Sequence, residues 1–350
     1  MPTTTLTIGN ELLSTTMHIV MKEWRDNVHT STAFLEAQSR VHGEGKPVQA
    51  GGTRVVIPLG FGEHSSTTRM QTGYERIDLS VEDVFTPAVY DWAHVVRPIA
   101  ISSEEELVNQ GDAAILSILE SRVKMTANAL KREYVQQMVK GSVAGWEDWG
   151  TLNGVDNTTG YLEEGAVGSG QTNSVGGVDK STFSGKTGWN NQVFDGTGSF
   201  NSNGLAGLYD LMVEINSVSP SGNPNVILAS RSGFKNLKRS LSASERYIDT
   251  AKLDGGKLSQ TWDGVPIDVE YFMPNDGTTT GAAGDSEISF YMLNMNDIYT
   301  LWDPKGYFDL GDFETVSGEY DVRAAKLRCR GQLIAKHLGS SGLAIGLDTF

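Results

Sequence analysis

The sequence predicts an α+β fold with an N-terminal arm, an extended β-hairpin, a domain built on one very long helix, a second strand-and-helix domain, and a Gly-rich, β-like insertion. Three observations lead there. Two β-like stretches flank a long polar turn, a strongly capped helix start opens a long amphipathic run, and strand and helix patterns alternate in the second half.

Residues 1–50 mix a short amphipathic run, Leu12 to Trp24, with polar turns and the glycine-bearing VHGEGKPVQAGG. This reads as an extended arm with one helix. The stretches TRVVIPL (53–59) and YERIDLSVEDV (74–84) then enclose the polar GFGEHSSTTRMQTG, the pattern of a long hairpin. Arms of roughly 14 residues would reach about 45 Å at 3.3 Å per residue. Two strands alone are marginal in water, so such a hairpin needs another surface to lie on.

Ser102 and Ser103, followed by Glu104, Glu105 and Glu106, supply a capping serine, a capping-box glutamate and negative charge at the positive end of a helix. Apolar residues recur at Ile115, Leu119, Val123, Leu130, Tyr134 and Met138 until Gly141. The expected helix has about 38 residues and spans roughly 57 Å. A single apolar stripe without heptads favours a helix lying across a flat domain over a coiled coil.

Composition shifts at residues 141–204, where 15 glycines fall in 64 residues and seven acids face two bases, Lys180 and Lys186. The segment carries −5 of the chain's net −15. Trp146, Trp149, Phe183, Trp189, Phe194 and Phe200 set it apart from aromatic-poor disorder. An inserted β-rich subdomain or a long structured loop is expected, with the tryptophans as its own small core. Beyond it, LAGLYDLMVEINSV and RSGFKNLKRSL read as helices around the strand PNVILAS, and further strands follow in WDGVPIDVEYFMP, SEISFYMLNMNDIYTLW, YFDLGDFETVSG and EYDVRAAKLRCRGQLIAKHLG. In the last of these Lys326, Arg328 and Arg330 share one face, and Leu327 and Cys329 the other. Pairing of this basic stripe with acids such as Glu104 to Glu106 is expected in so acidic a chain.

The 28 basic residues against 43 acidic ones leave no chain-wide basic footprint for gripping nucleic acid. One cysteine, Cys329, excludes an internal disulfide and a multi-thiolate metal site. No run approaches the roughly 18 apolar residues of a membrane span. GKT at 185–187 is not a phosphate loop, because the glycine that motif requires is replaced by Lys180. The six histidines lack metal spacing, and Glu163–Glu164 or Asp309 with Asp312 read as solvated charge. No catalytic residue, cofactor or metal is expected; the chain is read as a non-enzyme.

The order of elements resembles the major capsid proteins of tailed bacteriophages, with their Hong Kong 97-type coat fold. The run ERIDLSVEDVFTPAVYDWAHVVRPIAISSEEELVNQG is similar to the family's hairpin return, linking strand and spine-helix start. WDGVPIDVEYFMP is similar to its G-x-P-V strand, and ISFYMLNMNDIYTLWDPKGYFDLGD to the stretch after it. The resemblance implies an N-terminal arm at 1–50, an extended hairpin (E-loop) at 51–84, a peripheral domain with the spine helix at 85–140, the insertion at 141–204, an axial domain at 205–305, and return strands at 306–350. It further implies pentamers and hexamers of this chain closing an icosahedral shell around double-stranded DNA, contacted nonspecifically, in a virion assembled in the host cytoplasm. The resemblance implies a portal protein as partner and, since only about 50 residues precede the hairpin, either a separate scaffolding protein or none; a decoration protein is a further candidate partner. Inter-subunit contacts are expected at Arg54, Glu63, Arg69, Arg76, Glu104, Arg328 and Arg330. The alternatives are an encapsulin-type nanocompartment shell and a glycan-binding β-protein.

Overall fold

The computed structural model describes residues 33–42, 49–61, 67, 69–71, 73–76, 84–108, 118–154, 160–167, 170–183, 188–196, 200–243, 259–273, 288–315 and 321–347. Leu12 to Trp24, Glu63 and the GKT turn lie outside them.

Helix α1 (Ala33–His42) opens the described chain. It lies in the stretch read as an extended arm, and it is docked on the subunit's own core. Phe34 and Ala37 are buried, Gln38 donates to the Thr300 carbonyl oxygen at 2.9 Å, and Arg40 pairs with Asp268. Strand β1 (Arg54–Gly60) pairs antiparallel with β2 (Phe85–Asp91), so the hairpin forms. Its return strand is not the expected 74–84: Tyr74, Glu75 and Arg76 belong to no strand, and 77–83 lie outside the described residues. Pairing selects 85–91 because Tyr90, Ala88 and Thr86 then stand opposite Val55, Ile57 and Leu59 on the inward face. Pro58 meets Pro87, so the two missing N–H groups coincide in the ladder.

Strand β3 (Ala93–Ser102) runs into α2 (Ser103–Val108), and α3 (Ile118–Val139) follows. The expected capping box forms. Ser102 Oγ accepts from the Glu105 N–H at 3.2 Å, and Glu105 Oε2 accepts from the Ser102 N–H at 3.3 Å. Arg122 of α3 clamps Glu105 at 2.7 Å and donates to the Ala100 carbonyl oxygen, tying α3 to the start of α2 and to β3. Helix α3 ends where Gly141 turns into the left-handed region at φ 81°, its N–H returning to the Gln136 carbonyl oxygen.

The 141–204 segment supplies β4 (Thr151–Asn153), β5 (Gly160–Leu162), β6 (Ser174–Val175), β7 (Val178–Asp179) and β8 (Gln192–Asp195). After α4 (Phe200–Val218), β9 (Val226–Ala229) and α5 (Arg231–Ala243) come β10 (Ser259–Trp262), β11 (Val265–Val269), β12 (Ile288–Leu293), β13 (Ile298–Trp302), β14 (Asp309–Leu310), β15 (Glu314–Thr315), β16 (Val322–Ala335) and β17 (Gly342–Ile345).

Two sheets organise the molecule. A mixed six-stranded sheet has the order β10-β11-β9-β12-β17-β8. Its central strands VILA, ISFYML and GLAI are buried throughout, the signature of a sheet covered on both faces. Ile227, Phe290 and Met292 face α4 and α5 through Phe200, Leu208, Leu211 and Phe234, while Val226, Leu228, Tyr291 and Leu293 face the larger core under α3. The second sheet is centred on the 14-residue β16. Strand β3 lies along one edge from Val322 to Gly331, and β13, β14 and β15 follow one another along the opposite edge. As expected, Lys326 and Arg328 are exposed while Leu327 and Cys329 are buried.

The tryptophans of the insertion do not form a core of their own. Trp146 and Trp149 pack around Tyr134 of α3 together with Trp302 of β13, with ring centroids 5.0–6.0 Å apart. Strand β8 is an integral edge of the six-stranded sheet.

Candidate subunit interface

The hairpin presents two unlike faces. Inward, Val55, Leu59, Ala88 and Tyr90 enter the main core, and the Tyr90 hydroxyl donates to the Ala335 carbonyl oxygen at 2.9 Å. Outward, Val56 is 57% and Phe85 74% exposed, and Met70 and Tyr74, in the segment between the strands, are also exposed. A short strand pair that leaves such side chains in water has the composition of an interface half.

The insertion supports the hairpin base. Phe61, just past β1, stacks on Phe183 at 4.1 Å between centroids and meets Trp189 edge-on at 5.8 Å. The Val89 N–H donates to the Gly176 carbonyl oxygen at 2.8 Å across the β6–β7 turn. Gly176 has φ 61°, and a Cβ there would lie 2.9 Å from the Tyr90 ring, so this turn needs glycine. Gln332 of β16 joins the parts: its Nε2 donates to the carbonyl oxygens of Asp91 and Asp148, both at 2.9 Å, and its Oε1 accepts from the Gly150 N–H. Nothing in the sequence marked Gln332, whose value lies wholly in contacts between distant segments.

Among the expected contact residues, Arg69, Arg76, Glu104 and Arg328 are exposed. Arg54 pairs with Asp91 at 2.7 Å within the hairpin, both side chains largely in water. Arg330 pairs with Asp303 at 2.8 Å and lies over Trp92. Arg330 of the basic stripe thus finds its acid in Asp303, and within the Glu104 to Glu106 run Glu105 is taken by Arg122. That guanidinium, with help from the Ser102 N–H, holds the Glu105 carboxyl down to about 2.

One expectation is corrected outright: Glu163 is not solvated. It is buried and pairs at 2.8 Å with Lys180, whose side chain is fully buried. No local pattern signals this, because Lys180 lies seventeen residues past Glu163, which itself follows the end of β5. Among the described residues no group of His, Cys, Asp or Glu could hold a metal, and no helix is long and apolar enough to cross a membrane.

No protein-family model and no curated protein sequence matches this chain. Solved structures do. A capsid asymmetric unit of cyanophage A-1(L) aligns with TM-score 0.64 at 14% identity, covering 98% of this chain and 99% of that one. The capsid of a native GTA particle aligns with TM-score 0.60 at 11% identity over 95% and 96%. The holo-SrpI encapsulin complex of Synechococcus elongatus aligns with TM-score 0.55 at 12% identity over 97% and 94%. The fold is therefore the one the sequence resembled, the Hong Kong 97-type coat fold of phage capsid subunits. It extends over nearly the whole chain, including the glycine-rich insertion.

Proposed function

We propose that this chain is a major capsid protein, assembling as hexamers and pentamers into the icosahedral shell of a tailed phage around double-stranded DNA. The observation that carries the proposal is end-to-end coverage: 98% of this chain aligns with 99% of a capsid subunit. The outward hairpin face with Val56 and Phe85 fits the same role, because a neighbouring subunit would remove those side chains from water. The role is structural; portal, scaffolding and decoration proteins are its partners, and the virion its location. Contacts between subunits fall at the exposed Arg69, Arg76, Glu104 and Arg328, with Glu63, and with Arg54 and Arg330 lending charge from within their own pairs.

The encapsulin likeness supports a second reading, a nanocompartment shell of the same architecture. Contents separate the two. Particles purified from the source should hold double-stranded DNA; particles of uniform size holding an enzyme and no DNA would favour the second reading.

A further inference from the structure

Lys180 is buried with three acceptors around its Nζ: Glu163 Oε1 at 2.8 Å, the Tyr161 carbonyl oxygen at 2.7 Å and Asn191 Oδ1 at 3.2 Å. The Asn191 carboxamide is itself fixed. Its Oδ1 also accepts the Glu163 N–H at 2.9 Å, and its Nδ2 donates to the Glu163 carbonyl oxygen at 2.9 Å and the Gln192 carbonyl oxygen at 3.3 Å. The Glu163 carboxylate is aimed by the N–H groups of Thr172 and Asn173 at 2.8 and 2.9 Å. Val178, Trp189 and Asn190 around the site are buried too, so bulk water is kept out. An amine, a carboxylate in contact with it, an amide carbonyl beside it and an N–H donor on the carbonyl oxygen are the parts of an acyl-transfer site.

We propose that Lys180 and Asn191 join within the chain through an isopeptide bond between Nζ and Cγ, with Glu163 as the proton carrier. One Nζ proton passes to the Glu163 carboxylate, and the freed electron pair attacks Cγ. The charge that develops on Oδ1 meets the Glu163 N–H. Collapse breaks the Cγ–Nδ2 bond as Glu163 returns the proton to the departing nitrogen. The amide nitrogen sheds its extra proton, through Glu163, so that ammonium leaves and the carboxylate is restored. A protonated lysine and a primary amide become a secondary amide and ammonium, with no oxidant or cofactor. Burial pulls the lysine's pKa down to about 8, which brings the neutral amine within reach near neutral pH. The bond would fasten the end of β7 to the start of β8, locking the plate on which the hairpin base rests.

The test is mass spectrometry of the folded full-length protein after complete trypsin digestion. Cleavage after Lys140, Lys186 and Arg231 is available, while a linked Lys180 resists cleavage. The expected product is residues 141–186 joined to 187–231, about 17 Da lighter than the two peptides together through loss of one ammonia. Glu163→Gln, checked for folding by circular dichroism, should be cut after Lys180 as well and give residues 141–180, 181–186 and 187–231 as separate peptides at full mass. Separate peptides from the folded wild-type protein would overturn the proposal, including the case of a lone 187–231 peptide lighter by one ammonia, which is a cyclised Asn191. A Glu163→Gln protein linked as fully as wild type would overturn the role given to Glu163.

Discussion

Tyr134 shows how much of this subunit hangs on single aromatic residues. Its ring touches Trp146, Trp149, Trp302, Phe34 and Phe308, and its hydroxyl lies 2.5 Å from Thr300 Oγ1. Truncation by Tyr134→Ala should cost about 3–5 kcal/mol in denaturant unfolding of the isolated subunit, against about 1 kcal/mol for Tyr134→Phe, which loses only the hydrogen bond. Equal losses would mean that the hydroxyl and not the packing matters. Cys329 is wholly buried, and burial pushes its thiol far up. It should resist iodoacetamide in the folded protein and react fully once unfolded, as followed by intact mass. Glu105 gives a pH dependence of known sign. Its folded pKa of about 2 lies below its ordinary value of 4.5, so its contribution is complete above pH 4.5 and lost as pH falls towards 2. The denaturation midpoints of wild type and Glu105→Gln should converge over that interval; a constant gap would refute the assignment. Residue roles were legible where a local pattern carries them, as at Ser102, Glu105 and Gly141. They were illegible where the partner is remote: Arg330 with Asp303, Lys180 with Glu163, and Gln332.

At the scale of elements, the hairpin and the insertion act together. Phe61→Ala removes the ring that stacks on Phe183 and meets Trp189, contacts worth about 0.5–1.5 kcal/mol per pair beyond area burial. It should increase amide exchange in β1 and β2 while leaving β9, β12 and β16 protected. Uniform exchange changes would show that the hairpin is not a local unit resting on this plate. The existence of the hairpin was legible from its polar turn and flanking β-branched residues, but its return strand was not. YERIDLSVEDV alternates better than FTPAVYD, and prolines demote a strand by pattern. What selects FTPAVYD is the core beneath, which takes Ala88 and Tyr90. Helix α1 was passed over for a related reason: AFLEAQSRVH is short and weakly patterned, and it is held by Phe34, Gln38 and Arg40 reaching residues far along the chain. The insertion looked self-contained because its glycine and acid content changes abruptly, yet Trp146 and Trp149 fill space left between α3 and β13, and Trp189 meets Phe61 at the hairpin base.

At the scale of the molecule, the order of elements was the readable quantity, since helix start, buried strands and basic-faced β16 each leave a pattern and their sequence defines the coat fold. The surface that joins copies was not readable, because exposed charges look alike whether they meet water or a neighbour. In the proposed role the hairpin charge serves assembly and not folding. Arg69→Glu should therefore cut the yield of shells several-fold while shifting subunit unfolding by less than about 0.5 kcal/mol, as expected for an exposed site. Equal yields would remove Arg69 from the interface. The central claim, that copies of this chain build a closed shell, is tested most directly by electron microscopy of the purified protein with its assembly partners and of the source particle. Uniform icosahedral shells made of many copies of this chain are the expected result. A chain that stays monomeric at every concentration and with every partner, and is absent from the particle wall, would contradict it.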